Sequence, residues 1–308
     1  MLAAFGVGLW TGHDRSPATV RAAGSGPSAV AAPDDTPHAP AQMTLSTRPV
    51  KPLVLVRGPA TLAGRLHAPI AAAAAIVVDG DTGQVLWAKH PHERRPVAST
   101  TKIMTALLAL KEVKPHQIVT VDRAVTRVPL VREGLHTGEQ VPAWKLFYAM
   151  LLYSGNDDAL QLAITAAGSK AAFLRQMNDE AERLGMRDTH YTSPSGVIDK
   201  GNYSSAWDLA AVTREALKNP TFRKIVKTKR IEVSWAPPTN SKIYINNNSL
   251  LRGYAGANGV KTGFTHKAGW CLVSSATRHS RMLIAVVLDS GDMYNDTKKL
   301  LDLGFASG

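Results

Sequence analysis

One stretch of the chain is apolar all round a helical wheel. After Pro96, Ala98-Ser99-Thr100-Thr101-Lys102 leads into Ile103-Met104-Thr105-Ala106-Leu107-Leu108-Ala109-Leu110, and no further charge occurs until Lys111 and Glu112. Such a run predicts a buried, central helix with Ser99 where it starts. Ahead of it, Ala75–Asp79 and Gln84–Ala88 flank Gly80-Asp81-Thr82-Gly83, the pattern of a hairpin. Behind it, Val113 to Val141 is mixed, with short apolar runs and turn residues. Ala143 to Tyr153 has helical periodicity and stops at Ser154-Gly155-Asn156-Asp157-Asp158. Further helices are expected from Ala159 into Ala167, from Lys170 to Leu184 before Gly185, and from the Ser204-Ser205 cap to about Leu217. The last third turns to strands: Ile231–Trp235, then Gly269–Thr277 and Met282–Leu288 around Arg278-His279-Ser280-Arg281, with a closing helix over Asp296–Leu303. Strands at both ends with helices between predict an α+β fold. One antiparallel sheet is built from both chain ends, helices flank it, and a helical subdomain is inserted with the apolar helix at the junction.

Residues 1–67 do not share this patterning. Leu2 to Trp10 is apolar but far shorter than the roughly 20 residues that cross a bilayer. It fits the core of a secretory signal that lacks the usual preceding basic residues. The stretch after it is rich in Ala, Pro, Ser, Gly and Thr, the composition of a flexible tether. We therefore expect an atypical leader and disordered tether over 1–67, a folded domain over 68–308, and an extracytoplasmic location, secreted or attached to the cell envelope. No later segment is long enough for a membrane span.

The 308 residues are 44% hydrophobic and 19% charged, a globular composition. The net charge of +12 favours polyanions, either nucleic acid or an acidic cell envelope. No basic motif with interleaved aromatics is present, so a nucleic-acid partner is not expected. The single cysteine, Cys271, sits in an apolar run and reads as a small core residue on a strand. The ten histidines include no helix-spaced ligand pair, and neither a metal nor a cofactor is called for.

The candidate chemistry lies in three short motifs: Ser99-x-x-Lys102, Ser154-Gly155-Asn156 and Lys261-Thr262-Gly263. Residues three apart on a helix share a face, so Ser99 and Lys102 can meet beside the free N–H groups of a helix start. Alone, that pair reads more readily as a helix cap followed by a solvated lysine, and Ser154 and Asn156 could be caps of the next helix. The order of all three changes the reading, because Ser-x-x-Lys, a Ser-x-Asn-type motif and Lys-Thr-Gly together are the signature of penicillin-interacting serine enzymes.

The chain resembles the low-molecular-mass penicillin-binding proteins, specifically the serine-type D-alanyl-D-alanine carboxypeptidases of peptidase family S11. The resemblance covers about residues 69–308. It is carried by Pro96 to Lys102, Leu152 to Asp157, Tyr203 to Leu209, Asn247 to Leu250 and Gly259 to Gly263. It implies a β-lactamase/DD-peptidase-like fold and an acyl-enzyme on Ser99. Lys102 is the implied base, and Ser154 hands a proton to the leaving amine. Asn156 holds a substrate amide, Lys261 and Thr262 bind the terminal carboxylate on the Gly263 strand, and the backbone N–H groups of Ser99 and Phe264 form the oxyanion site. The implied ligand is a peptidoglycan stem peptide ending in D-Ala-D-Ala, with β-lactams as covalent inhibitors. A monomer without a C-terminal β domain or C-terminal membrane anchor is expected.

Three positions depart from the family pattern. The segment Val287–Tyr294 carries no arginine to assist the carboxylate, Ser195 stands where relatives often have histidine, and Phe264 stands where a polar residue is frequent. The competing enzyme is a class A-like β-lactamase, which needs a deacylating Glu; Glu180 and Glu182 lie in a helical segment without the required pattern. A non-catalytic β-lactam- or wall-binding module is the alternative of a different class.

Overall fold

The computed structural model describes residues 69–197, 200–237 and 240–307, so the leader and tether expected over 1–67 lie outside the described residues. The chain opens with β1 (Ala74–Asp79) and β2 (Val85–Lys89), then a 3-10 turn (Ala98–Thr101) running into α1 (Lys102–Glu112). Next come β3 (Ile118–Thr120), β4 (Gln140–Pro142), α2 (Ala143–Tyr148), a turn of π-helix (Ala149–Tyr153), α3 (Asn156–Ala167) and α4 (Lys170–Arg183). After α5 (Ala206–Ala216) and α6 (Pro220–Lys227) follow β5 (Arg230–Val233), β6 (Lys242–Ile245) and the short α7 (Leu250–Gly253). The chain finishes with β7 (Ala257–Thr265), β8 (Gly269–Arg278), β9 (Arg281–Ser290) and α8 (Met293–Phe305).

Five strands form one antiparallel sheet in the order β2-β1-β9-β8-β7, so the first and last strands of the chain meet at β1 and β9. The sheet is buried on both faces. Along β9, Leu283, Ala285 and Val287 enter the core under α8, while Ile284, Val286 and Leu288 enter the core shared with the helical block. A strand with two buried faces reads as a continuous apolar run rather than an alternating one, which is why this segment is apolar throughout. On the block side, α1 is the hub, with Lys102 through Ala109 all buried and α3, α4, α5 and α6 packed around it. β7 is the outermost strand; it pairs with β8 (Lys261 opposite Val273, Phe264 opposite Trp270), and among the described residues no strand pairs with its other edge.

The α+β reading, the first hairpin, the β8–β9 hairpin and Cys271 as a buried strand residue are all borne out. Several boundaries differ for identifiable reasons. Ser99 lies inside the 3-10 turn, and the α-helix begins at Lys102. The helix expected to run through Tyr153 leaves the α form at Ala149 and ends on Ser154 at φ 79°. The next helix starts at Asn156 rather than Ala159, with Asp157 and Asp158 in its first turn, where the helix dipole favours acids. Lys261-Thr262-Gly263 lies within an edge strand instead of ahead of one. The strand predicted over Ile231–Trp235 is β5, which pairs with β6 in a separate two-stranded sheet rather than joining the main one.

Candidate functional site

The site begins where the first hairpin hands over to α1. Ala98 holds φ 47°, a conformation L residues rarely adopt, and it opens the 3-10 turn in which Ser99 follows at the mouth of a cleft. Ser99 keeps only 8% of its surface exposed. One turn on, Lys102 is fully buried with its Nζ 2.8 Å from Ser99 Oγ, as their spacing of three predicts. Two further oxygens surround the same Nζ: Asn156 Oδ1 at 2.8 Å and the Ser195 carbonyl at 3.2 Å.

Those two oxygens come from segments distant in the sequence. Asn156 is placed by α3, and its other end donates from Nδ2 to the Pro129 carbonyl at 3.2 Å. The α3 start is itself pinned: Asp157 accepts from the backbone N–H groups of Glu133, Gly134 and Leu135. The Ser195 carbonyl is delivered by a loop laid against the 3-10 turn. Gly196 makes that contact feasible, since a Cβ there would fall 2.0 Å from the Ala98 carbonyl and its φ is +74°.

The opposite wall is β7. Gly263 lies against the nucleophile turn so closely that a Cβ would sit 3.1 Å from Ser99 N and 3.0 Å from the Val97 carbonyl. Thr262, Gly263 and Phe264 share with Ser99 and Ser154 a cleft of about 380 Å³. Lys261 is buried instead of exposed along it, and its Nζ donates to its neighbour's carbonyl, Thr262 O, at 3.0 Å.

Burial sets the charge state of both lysines. Desolvation lowers Lys102 well below the ordinary lysine range; the nearby Lys261 adds to this, while Asp158 and Asp157 oppose it. Lys261 is brought down to about 7 by burial alone. Of the two opposing acids, Asp158 is itself pushed well above the carboxylate range by burial, Asp157 and Glu133, so its pull on Lys102 is weakened by its own protonation. A buried, readily neutral amine touching a hydroxyl, in reach of an edge strand and of free backbone N–H groups, can run nucleophilic acyl transfer.

Five of the eight expected site residues (Ser99, Ser154, Thr262, Gly263 and Phe264) line the one cleft, and Lys102 and Asn156 stand behind it in direct contact. Asn156, expected to face a substrate amide, is turned onto Lys102 and Pro129 in this state. Glu180 is held by Lys111 and Arg183, and no carboxylate lines the cleft among the described residues. Sequence reasoning missed the Ser195 carbonyl, Asp157 and Trp270. A backbone carbonyl has no letter of its own; the only sequence signal for it was the Ser193-Pro194-Ser195-Gly196 turn.

Comparison with known proteins agrees with this geometry. The solved structure of the Streptomyces K15 DD-transpeptidase matches with a TM-score of 0.72 at 35% identity, covering 78% of this chain and 98% of that one. Such a fold and such a serine–lysine pair define the class, a serine peptidase of the DD-peptidase type. The family model of peptidase S11, D-alanyl-D-alanine carboxypeptidase, matches residues 62–292, and the chain belongs to that family. A D-alanyl-D-alanine carboxypeptidase of Streptomyces sp. (strain K15) is 36% identical over 256 residues, covering 77% of this chain and 88% of its own. The carboxypeptidase DacF of Bacillus subtilis is 33% identical over 244 residues, covering 76% of this chain. The chain spans 62% of the length of that Bacillus protein. The family resemblance is thereby borne out.

Proposed function

We propose that this chain is a serine D-alanyl-D-alanine carboxypeptidase acting on peptidoglycan stem peptides, and that penicillins acylate the same serine. The observation that carries the reading is the set of partners around Lys102 Nζ. A neutral amine has two N–H groups and one lone pair. Two of its three neighbours, Asn156 Oδ1 and the Ser195 carbonyl, can only accept, so they take the N–H groups. The lone pair is left for the third neighbour, the Ser99 hydroxyl.

The chemistry then follows. Ser99 Oγ attacks the carbonyl carbon of the penultimate D-Ala as its proton passes to Lys102 Nζ. The oxyanion is met by the N–H groups of Ser99 and Phe264, each such donor contributing about 10²–10³ in rate. The C–N bond breaks, and the departing D-Ala amine takes a proton relayed from Lys102 through the Ser154 hydroxyl. A water, deprotonated by Lys102, attacks the ester; the acyl–Oγ bond breaks, and the proton returns to Ser99. The base is worth about 10²–10⁴. Asn156 acts here first as the residue that aims Lys102, and Thr262, with the Lys261 charge behind it, receives the terminal carboxylate.

Among the described residues no helix is long and apolar enough to cross a membrane. The substrate itself puts the enzyme on the outer side of the cytoplasmic membrane. Incubation with a labelled penicillin and peptide mass mapping should place the label on Ser99, and a D-Ala-D-Ala peptide should release D-alanine. Label on another residue, or none, would defeat the assignment. Because the matched Streptomyces structure is that of a DD-transpeptidase, an amine acceptor should be included; transfer product in preference to free acid marks the transpeptidase branch.

A further inference from the structure

Eight large apolar side chains are exposed among the described residues, and four of them, Val131, Tyr153, Phe264 and Trp270, line the cleft that holds Ser99. Phe264 is 43% exposed and Trp270 48%. No Lys, Arg, Asp or Glu joins them along the cleft wall among the described residues. Water-facing aromatic surface concentrated beside a nucleophile marks a surface that is covered when ligand binds.

The two rings also pack against each other. Phe264 and Trp270 are cross-strand partners in the β7–β8 register, with ring centroids 4.3 Å apart and planes inclined by 34°. His266 meets the Phe264 ring edge-on, with centroids 5.7 Å apart. The strand register also tells which part of a ligand reaches this platform. Gly263 abuts Ser99 N, so Lys261 and Thr262 precede the nucleophile along β7 and Phe264 follows it. With a leaving-group carboxylate at Thr262, the ligand at Phe264, about 7 Å further along the strand, is the acyl half. In an extended ligand laid on an open strand edge, alternate substituents point to one side of the sheet. Thr262 and Phe264 share that side, the opposite one from Lys261 and Gly263.

We infer that the Phe264–Trp270 platform, in the cleft shared with Tyr153 and Val131, is a specificity subsite for an uncharged apolar or aromatic substituent on the acyl half of the ligand. It rests on the acyl-transfer reading above. The test measures the second-order rate of Ser99 acylation by three penicillins that differ only in side chain: phenylacetyl, acetyl, and phenylacetyl bearing an added carboxylate. The wild-type protein should favour the phenylacetyl compound over both others. Trp270→Ser and Phe264→Ser should each lower the phenylacetyl-to-acetyl ratio about threefold to tenfold, the size of one aromatic contact, with the change carried by the binding step. Two variants that still acylate but keep the wild-type ratio would overturn the subsite. So would equal wild-type rates for the carboxylated and plain phenylacetyl compounds, a comparison that needs no variant to fold. Failure of all three compounds to label wild-type Ser99 would instead sink the acyl-transfer reading.

Discussion

Replacing Asn156 with Asp would put a full negative charge where a carboxamide oxygen now lies 2.8 Å from Lys102 Nζ. Side-chain size barely changes, so the substitution tests charge more than shape. Unit charges about 4 Å apart attract by about 4 kcal/mol at an effective dielectric of about 20, equivalent to about three pKa units. The burial and the Lys261 charge that depress Lys102 remain in place. We expect the amine's pKa to rise by about two to three units. The base works only when neutral, so activity is lost below its pKa and recovered above it. In the wild type the depressed pKa leaves neutral amine available near neutral pH. In Asn156→Asp, acylation should fall at pH values below the raised pKa, by at most about 10²–10³-fold, and recover tenfold per unit toward alkaline pH. The assay is the rate of covalent labelling of Ser99 by a fluorescent penicillin across the neutral and alkaline range. Asn156→Ala serves as the control, since it removes the contact without adding charge and should not move the profile upward. An Asn156→Asp protein slowed equally at every pH, or slowed at none, would refute the neutral-lysine argument.

Other substitutions probe the supports of the site. Gly263→Ala drives a methyl to 3.1 Å from Ser99 N, so β7 must back away from the nucleophile turn and carry the Phe264 N–H away from the Ser99 N–H; acylation should drop by up to about 10²–10³-fold, with a stability loss of only about 1–3 kcal/mol in thermal unfolding. Asp157→Ala removes the carboxylate that accepts from the backbone N–H groups of Glu133, Gly134 and Leu135; urea unfolding should show a loss of about 1–3 kcal/mol. Asp158 is fully buried, and neither of its carboxylate oxygens has a hydrogen-bond donor among the described residues. Its acid is harder to ionise in the fold than in the unfolded chain, so it costs stability increasingly as pH rises above about 4, where unfolded Asp ionises. Asp158→Asn should therefore stabilise little in acid and progressively more toward neutral pH; a difference in unfolding midpoint that ignores pH would disprove this.

The amino-acid sequence by itself determined the kind of molecule. The apolar run after Ser99 could only be a buried helix, and its spacing of three placed Lys102 against the nucleophile. Apolar runs at both ends specified the sheet, and three motifs in order specified the family. Some signals were present but too local to weigh: Asn219 caps α6 ahead of Pro220, as such a pair commonly does, and Phe222, Ile225 and Val226 mark one buried face, yet eight residues give that pattern only two turns. The four-residue β6 is shorter still.

What only the tertiary structure decided is the direction in which each polar group is spent. Asn156 is turned onto a lysine 54 positions earlier in the chain, and the Ser195 carbonyl reaches the same amine from 93 positions later. Lys261 is buried where its neighbour on the strand is half open, and Phe264 meets Trp270 only because of a strand register. Periodicity records which side of an element is apolar, because burial is a property of one residue and its surroundings on average. The charge state of Lys102 depends on particular atoms brought together from distant segments, and that proximity exists only once the chain has closed on itself.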